Sequence, residues 1–288
     1  MAVDYAALKA GGFMLQKQKD LFSLRLRVVG GNVTAEQLET ISAVAKKYGH
    51  GYAHLTSRQG VEIPFIRLED IEAVKAELAA GGVYPGASGP RVRTVTACQG
   101  GQCCPNGCVD ALEIAQGLSD RYFGRQLPHK FKSGVTGCPN NCLKAEENDM
   151  GVKGCTLTRW DAEKCVFCGA CQRACRHGAI TISDGVVKVE ETLCRHCGKC
   201  VRACPKGAME GESGYLVSFG GTFGNNIRQG VALLPIIRDE ETLFRVADAA
   251  LNYFSEHANK GERFSKTLER LGWDGLRETL EAACRGDA

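Results

Sequence analysis

Two cysteine runs of identical spacing constrain this chain more than any other feature. Both follow C-x2-C-x2-C-x3-C; they comprise Cys165, Cys168, Cys171 and Cys175, then Cys194, Cys197, Cys200 and Cys204. Such runs hold [4Fe–4S] clusters, and the fourth cysteine of each run binds the cluster of the other. We therefore predict two clusters, with Cys204 completing the first ligand set and Cys175 the second. Zinc is the alternative, but its sites usually take only two close cysteines per half-site.

The composition and the N-terminal sequence indicate whether these thiols lie in an oxidising or a reducing compartment. Sixteen cysteines in 288 residues would suggest disulfides in a small secreted protein. The first twenty residues lack a continuous apolar segment, so we expect no signal peptide and a cytoplasmic chain. No stretch approaches the roughly 18 apolar residues that span a bilayer. The net charge of +3 gives no reason to expect binding to nucleic acid, and thiols in a reducing compartment are more often metal ligands than disulfides.

The first part of the chain, residues 1–88, predicts a small α+β unit. The segment LFSLRLRVVGG is strand-like, and Thr34 with Gln37 forms a capping-box pattern at the beginning of a helix. Two further strands flank a turn at Gln59-Gly60, and the apolar spacing over residues 71–78 predicts a second helix. The order strand, helix, strand, strand, helix is that of a ferredoxin-like fold.

The rest of the chain predicts a larger domain interrupted by an insertion. Residues 89–154 contain a strand-like RVRTVTA, a helix around DALEIAQGLSDRYF and another strand in KFKSGVTG. Residues 155–214 are rich in cysteine and poor in helix periodicity, whereas residues 215–288 return to a strand, a glycine loop and helices. We therefore predict an inserted bacterial-type ferredoxin module over 155–214. Such an insertion needs its two ends to lie close together.

Four other cysteines form a second kind of pattern. Cys98 and Cys104 are spaced C-x5-C, while Cys138 and Cys142 are spaced C-x3-C within GCPNNC. Four thiolates from two separated loops suit a third [4Fe–4S] cluster. Cys103 leaves a C-x4-C choice open, and a set of buried structural cysteines is the other interpretation. Glycine and proline around both pairs argue against a packed helix face, so we predict a cluster.

This second pattern resembles the siroheme and [4Fe–4S] signature of sulfite and nitrite reductases. The segments FSLRLRVVGG, LTSRQGVEI, PHKFKSGVTGCPNNC and VSFGGTFGNN are similar to segments of that family, so the resemblance covers nearly the whole chain. The inserted module is similar to that of dissimilatory and anaerobic sulfite reductase subunits. The resemblance implies that Cys142 bridges a cluster iron to the siroheme iron, as an axial ligand.

Cationic residues are candidates for binding the substrate. Lys130 and Lys132 alternate on a predicted strand, so both face one side and can hold a compact oxyanion and pass protons to it. The resemblance implies that Arg25 and Arg93 help to surround the substrate, with Arg27 as the alternative to Arg25. Taken alone, such cations usually lie on a solvated face, and only their combination with the cysteine pattern favours a site.

Other residues are candidates for binding the siroheme. Arg58, with the adjacent Gln59, matches a family position that meets the siroheme carboxylates. The loop GGTFGNNIR is expected to lie against the macrocycle because glycine permits close backbone approach; its candidate residues are Gly220, Gly221, Asn225 and Arg228. Cys103, Cys108, Cys155 and Cys284 receive no role.

These expectations describe a siroheme sulfite reductase that reduces sulfite to sulfide with electrons entering through the inserted clusters. Nitrite reduction with the same cofactors is the alternative, and a non-catalytic electron carrier with three clusters is the rival from another class. Members of the family that the chain resembles carry two copies of the fold or pair two related chains, so the resemblance implies that this single copy forms a homodimer or a complex with another chain. Because the sequence has no flavin or nicotinamide motif, we expect an external ferredoxin or a donor subunit to supply the electrons.

Overall fold

The computed structural model describes residues 3–286, and its N-terminal part is an antiparallel sheet covered by helices. The elements are α1 (Tyr5–Ala10), β1 (Phe13–Leu15), β2 (Leu21–Arg25), α2 (Ala35–Tyr48), β3 (His54–Leu55), β4 (Val61–Arg67) and α3 (Ile71–Ala80). The strands lie in the order β1-β2-β4-β3. The capping box at the beginning of α2 is confirmed, because the side chains of Thr34 and Gln37 each accept a backbone N–H of the other residue.

This N-terminal unit differs from the prediction at its beginning. Helix α1 and strand β1 come before the first predicted strand, and β1 pairs with β2 at the edge of the sheet. Strand β2 is also shorter than LFSLRLRVVGG, since it ends at Arg25 and the chain turns only later, at Val29–Gly31, where Gly30 has a φ of 60°. Three residues of strand are too few to give a periodic signal. From β2 to α3 the predicted order of elements is confirmed.

The larger part of the fold has a mixed five-stranded sheet in the order β11-β10-β7-β6-β5. Its elements are β5 (Thr96–Ala97), α4 (Ala111–Tyr122), β6 (Ser133–Thr136), β7 (Met150–Trp160), β10 (Met209–Phe219), β11 (Val231–Ala232), α7 (Glu240–His257), α8 (Phe264–Leu271) and α9 (Asp274–Arg285). Strands β5, β6 and β7 are parallel, and β10 is antiparallel to both of its neighbours. The predicted strands RVRTVTA and KFKSGVTG are shorter than expected, since only Thr96–Ala97 of the first and Ser133–Thr136 of the second form strands of this sheet.

The cysteine-rich segment lies at the end of a long strand pair. Strands β7 and β10 pair without a break from Met150 with Phe219 to Trp160 with Met209. Between them lie α5 (Ala170–Ala174), β8 (Ile180–Ser183), β9 (Val186–Val189) and α6 (Lys199–Ala203). The pairing therefore continues through Cys155 and Gly214, and it holds the two ends of the intervening segment side by side. In the described range 3–286, no helix is both long and apolar enough to cross a membrane.

Candidate active site and cluster sites

Phe131 fixes the orientation of the two lysines that flank it. Its ring is 1% exposed and packs against the rings of Phe254 and Phe264, with centroid distances of 5.9 and 5.4 Å. Because side chains alternate along an extended chain, Lys130 and Lys132 lie on the side opposite to this core. Both lysines line one cavity. They precede β6, whereas the sequence predicted that they lie within the strand.

The cavity has a volume of about 280 Å³ and lies between the N-terminal sheet and the larger sheet. It is lined by five of the six cationic residues that the sequence assigned to the anion or the macrocycle: Arg25, Arg58, Arg93, Lys130 and Lys132. The sixth, Arg228, does not line it. One carboxylate also lines it, that of Glu62, which accepts from Nε of Arg25 at 2.5 Å. An excess of positive charge in a partly closed cavity attracts anions. The structure therefore brings together five residues that are spread over more than a hundred positions of sequence.

Arg27 lies at a different place from Arg25. Its guanidinium donates to Asp120 Oδ1 at 3.0 Å and to Ser119 Oγ at 2.8 Å. It lines a larger cavity, beside α4, and not the one that contains the two lysines. The placement favours Arg25 over Arg27 as the arginine at the cation-lined cavity.

Burial and mutual repulsion make the cations of this cavity easier to deprotonate. The pKa of Lys132 falls from 10.5 to about 8, chiefly through burial and then through the charges of Arg58 and Arg263. Burial also lowers the pKa of Lys130, again with a contribution from Arg263. The pKa values of Arg58 and Arg93 are both lowered to about 10, with burial as the main cause. Desolvation disfavours the charged form of a base, and a bound anion would offset that cost.

Backbone carbonyls and one buried amide hold the two arginines of the cavity wall. Arg93 donates to the carbonyl oxygens of Ala87 and Gly89 at 3.1 and 2.9 Å. Arg58 donates to Oδ1 of Asn148 at 2.9 Å. Within residues 3–286, the Nε atom of Arg93 is a buried donor without a hydrogen-bond partner. A buried donor left unpaired is costly, so this wall is suited to a group that accepts hydrogen bonds.

One further cation near the two lysines was not predicted from the sequence. Arg263, which precedes α8, donates to both carboxylate oxygens of Asp149 at 2.9 and 3.0 Å. Asp149 is fully buried and also accepts the backbone N–H of Lys132 at 2.9 Å. Burial raises the pKa of Asp149, while the ion pair with Arg263 opposes the rise. Asp149 therefore fixes the backbone of Lys132 and the side chain of Arg263 at the same time.

The side chain of Gln59 forms hydrogen bonds with the backbone of a neighbouring strand. Its amide nitrogen donates to the carbonyl oxygen of Ala97 at 2.8 Å, and its amide oxygen accepts the N–H of Ala97 at 2.9 Å. This pair of hydrogen bonds joins the β3–β4 turn to β5. Gln59 thus positions the turn that carries Arg58, and its amide is already bonded in this structure.

The glycine loop after β10 divides into a buried and an exposed part. A side chain at Gly220 or Gly221 would collide with neighbours, namely Trp273 for the first and the backbone oxygens of Glu146 and Asn148 for the second. Asn225 and Arg228 are exposed, and Arg228 forms an ion pair with Glu269. Close packing therefore requires both glycines, against a side chain at Gly220 and against backbone at Gly221, while the tip of the loop faces solvent.

The structure brings together three of the four cysteines predicted for the third cluster. Cys138 is buried, and burial raises the pKa of its thiol; the nearby thiols of Cys108, Cys104 and Cys98 raise it further. The N–H of Gly137 donates to the sulfur of Cys98 at 3.1 Å. Cys142 is exposed, four residues further along the same loop. Cys103 is exposed as well, so the placement favours Cys104 in the C-x5-C pair.

The eight cysteines of the two runs form two groups that cross over between the runs. One small pocket is lined by Cys165, Cys168, Cys171 and Cys204, and another by Cys175, Cys194, Cys197 and Cys200. The groups are those that the spacing predicted. The two halves repeat each other in detail, since the N–H of Ala179 donates to the sulfur of Cys175 at 3.3 Å and that of Ala208 to the sulfur of Cys204 at 3.1 Å.

The donor sets fit the cofactors that the sequence suggested. In the part of the chain that the structure describes, no three His, Cys, Asp or Glu side chains are arranged to hold a single metal ion. A cubane cluster takes its thiolates at several iron atoms and so needs a wider ligand arrangement than one ion. The two all-cysteine groups, with N–H donors to their sulfur atoms, have the wider ligand arrangement that a cubane cluster needs. The cation-lined cavity, with its unpaired Arg93 donor, fits a polyanion.

Comparison with known proteins agrees with this geometry. The family model described as "Nitrite and sulphite reductase 4Fe-4S domain" matches residues 88–285, and the one described as "Nitrite/Sulfite reductase ferredoxin-like half domain" matches residues 14–81. The chain belongs to the nitrite and sulphite reductase family. The resemblance inferred from the cysteine and lysine segments is thereby confirmed, as is the ferredoxin-like half-domain.

Individual members of the nitrite and sulphite reductase family resemble the chain over most of its length. It is 35% identical over 255 residues to the Coenzyme F420-dependent sulfite reductase of Methanocaldococcus jannaschii, over 88% of this chain and 41% of that protein. It is 32% identical over 217 residues to a subunit of the anaerobic sulfite reductase of Salmonella typhimurium, over 67% of this chain and 62% of that one. The chain thus spans less than two thirds of either relative.

A solved structure shares the fold. The crystal structure of dissimilatory sulfite reductase I superposes with a TM-score of 0.73 at 22% sequence identity. The superposition covers 91% of this chain and 69% of that one. The mixed α and β fold of that structure therefore extends over nearly all of this chain.

Proposed function

We propose that this chain is the catalytic part of a siroheme-dependent sulfite reductase, which converts sulfite to sulfide. The observation that carries the proposal is the cavity in which Arg25, Arg58, Arg93, Lys130 and Lys132 meet. Sulfite is a small dianion that loses three oxygens as water, so its site must supply both positive charge and protons. Overall, sulfite takes up six electrons and seven protons to give hydrosulfide and three waters.

The residues of the cavity would bind the anion and deliver protons. Lys130 and Lys132 face the same side, so their ammonium groups can contact two oxygens of one substrate. Lys132, with a pKa of about 8, gives up a proton near neutral pH more readily than an ordinary lysine. Arg93 is held by the carbonyl oxygens of Ala87 and Gly89, so its guanidinium is oriented before the anion arrives.

Four groups of residues would hold the redox cofactors. Siroheme, when bound, supplies the iron at which the sulfur is reduced. Arg58 would bind its carboxylates, Cys142 would supply it with a thiolate, and the glycine loop at Gly220 and Gly221 would lie beside it. The remaining assignments are three [4Fe–4S] clusters, one on Cys98, Cys104, Cys138 and Cys142, and two on the crossed groups of the inserted module.

Electrons must come from a partner. We propose an external ferredoxin or a donor subunit that binds to the module between β7 and β10. We also propose that the chain works in the cytoplasm. We propose that it acts as a homodimer or within a larger assembly, because it spans only 41% of one sulfite reductase relative and 62% of a subunit of another. The domain limits of 1–88, 89–154 with 215–288, and 155–214 belong to the same proposal.

Nitrite reduction is the second candidate. The matching family includes nitrite reductases, and nitrite is also a small oxyanion that a cationic cavity attracts. An electron carrier without siroheme is the rival of another class, and the cations collected at one cavity argue against it.

Spectra and turnover of the anaerobically purified protein test the proposal. We expect the Soret and red bands of siroheme, and turnover of sulfite faster than of nitrite with reduced viologen as the donor. Lys130→Ala with Lys132→Ala should abolish most sulfite turnover and leave the siroheme bands intact. The matched control is Lys17→Ala with Lys19→Ala, since these two lysines have the same spacing and are exposed. Absence of siroheme bands would eliminate the enzyme hypothesis, and unchanged kinetics of the first variant would remove the lysines from the site.

A further inference from the structure

Cys108 lies between two groups of cysteines that are far apart in sequence. Its backbone N–H donates to the carbonyl oxygen of Gly137 at 2.6 Å, next to Cys138. Its thiol reaches the carbonyl oxygen of Cys197 at 3.9 Å. One residue therefore contacts the backbone beside a candidate ligand of the active-site cluster and the backbone of a candidate ligand in the inserted module.

Further contacts hold the two groups together at this point. The hydroxyl of Ser213, on β10, donates to the carbonyl oxygen of Cys108 at 2.8 Å. The N–H of Thr156, on β7, donates to the carbonyl oxygen of His196 at 2.7 Å. The loop that carries Cys194 and Cys197 is thus seated on the β7–β10 pair beside Cys108. Short hydrogen-bonded connections of this kind fix the separation of two groups.

The other cysteine group of the module contains a solvent-exposed member. Cys168 is exposed, whereas all four members of the group that contains Cys197 are partly buried. The two residues that precede Cys168 are exposed apolar side chains, with 57% of Val166 and 45% of Phe167 accessible to solvent. The two groups therefore differ in access: one contacts the larger domain, and the other contacts solvent.

We propose that Cys108 is a positioning residue that couples the inserted module to the active-site cluster, and that the group containing Cys168 receives the electrons. The proposal rests on the proposed function and adds an order to its cofactors. The reductant is a one-electron carrier of the ferredoxin type. Each electron that it loses is gained by the chain, and no bond is formed or broken at Cys108. Cys108 remains a thiol throughout and is not a cluster ligand.

The test compares Cys108→Ala and Ser213→Ala with Cys284→Ala. Cys284 is another partly buried cysteine without an assigned role, on α9, so it controls for loss of a thiol. Ser213→Ala removes a hydrogen bond to Cys108 and leaves every thiol in place. Each protein is purified anaerobically and its iron content measured. It is then mixed without sulfite with a reduced ferredoxin, and the reduction of each centre is followed by stopped-flow absorbance and rapid-freeze EPR.

We expect Cys108→Ala to keep the iron content and the rapid reduction of the module, and to lose the rapid reduction of the active-site cluster. Ser213→Ala should slow the same phase to a smaller extent, and Cys284→Ala should match the unaltered protein. Equal rates in all proteins would refute the coupling. Loss of iron in Cys108→Ala would also refute it, because Cys108 would then be a ligand. The EPR readout does not need siroheme, so failure of the proposed function is distinguishable by missing siroheme bands in the unaltered protein.

Discussion

Replacing Lys132 with methionine should stabilise the protein while impairing its site. The change Lys132→Met keeps an unbranched side chain of similar length and removes the charge. In the folded protein the pKa of Lys132 is lowered from 10.5 to about 8, first by burial and then by the charges of Arg58 and Arg263. Folding therefore disfavours the protonated lysine, and the unaltered protein carries this cost whenever Lys132 is charged in both states.

The magnitude follows from the two pKa values. The difference between 10.5 and about 8, at 1.36 kcal/mol per pH unit, corresponds to roughly 3 kcal/mol. Because part of the Lys132 side chain is accessible to solvent, we expect about 1–2 kcal/mol of added unfolding free energy in Lys132→Met. The cost is fully present below pH 8. It declines as the pH rises from about 8 to 10.5, because Lys132 then loses its proton in the folded protein first.

Anaerobic urea unfolding in a buffer without sulfite or phosphate measures this difference. We expect Lys132→Met to be more stable than the unaltered protein at about pH 7, with the gap narrowing at about pH 10. Added sulfite should also narrow the gap at pH 7, since an anion in the cavity stabilises the charged lysine. The control is Lys46→Met, an exposed lysine on α2. A variant that is less stable at pH 7, or a gap that does not change with pH, would refute the electrostatic reasoning.

Three further predictions concern the packing around the cavity. Phe131→Ala should lower the unfolding free energy by about 3–5 kcal/mol, measured by denaturant unfolding, because the ring is 1% exposed; a smaller loss than 1 kcal/mol would show that it does not anchor the lysines. Asp149→Asn should cost about 3–5 kcal/mol, because Arg263 would keep a buried charge without its partner, and thermal unfolding would detect it. Gly221→Ala should destabilise by about 1–3 kcal/mol through overpacking against backbone oxygens. In Gly11→Ala the new methyl group meets only ordinary contacts at 3.6 Å, so equal melting temperatures for these two glycine variants would contradict that account.

Features with a local or periodic cause were predictable from the sequence. The capping box needs only Thr34 and Gln37 at the right spacing, and the structure contains both of its hydrogen bonds. The crossed cysteine groups follow from the spacing of two runs, because short loops bring three thiols together. The common orientation of Lys130 and Lys132 follows from the alternation of an extended chain.

Features that depend on distant contacts were not predictable. Arg263 binds Asp149 from 114 residues away, and nothing in its local sequence distinguishes it from a surface arginine. The occupied amide of Gln59 likewise depends on the position of Ala97, a residue of another sheet. Composition changes near Cys155, but backbone pairing continues to Trp160, since hydrogen bonds between strands do not depend on side-chain type. Sequence patterns report the chemistry of a segment, and tertiary contacts decide where that segment begins.

The unbroken pairing of β7 with β10 makes the segment between the two strands exchangeable. Trp160 and Met209 are opposite residues at the end of the ladder, and opposite residues in antiparallel strands are about 5 Å apart. A two-residue hairpin turn can join strands at that separation. The register of β7 with β10 therefore does not depend on residues 161–208, and a different electron carrier can be inserted between Trp160 and Met209. Under the proposed function, one catalytic scaffold would in this way serve cells with different reductants, by exchange of this segment and with no change to the cation-lined cavity.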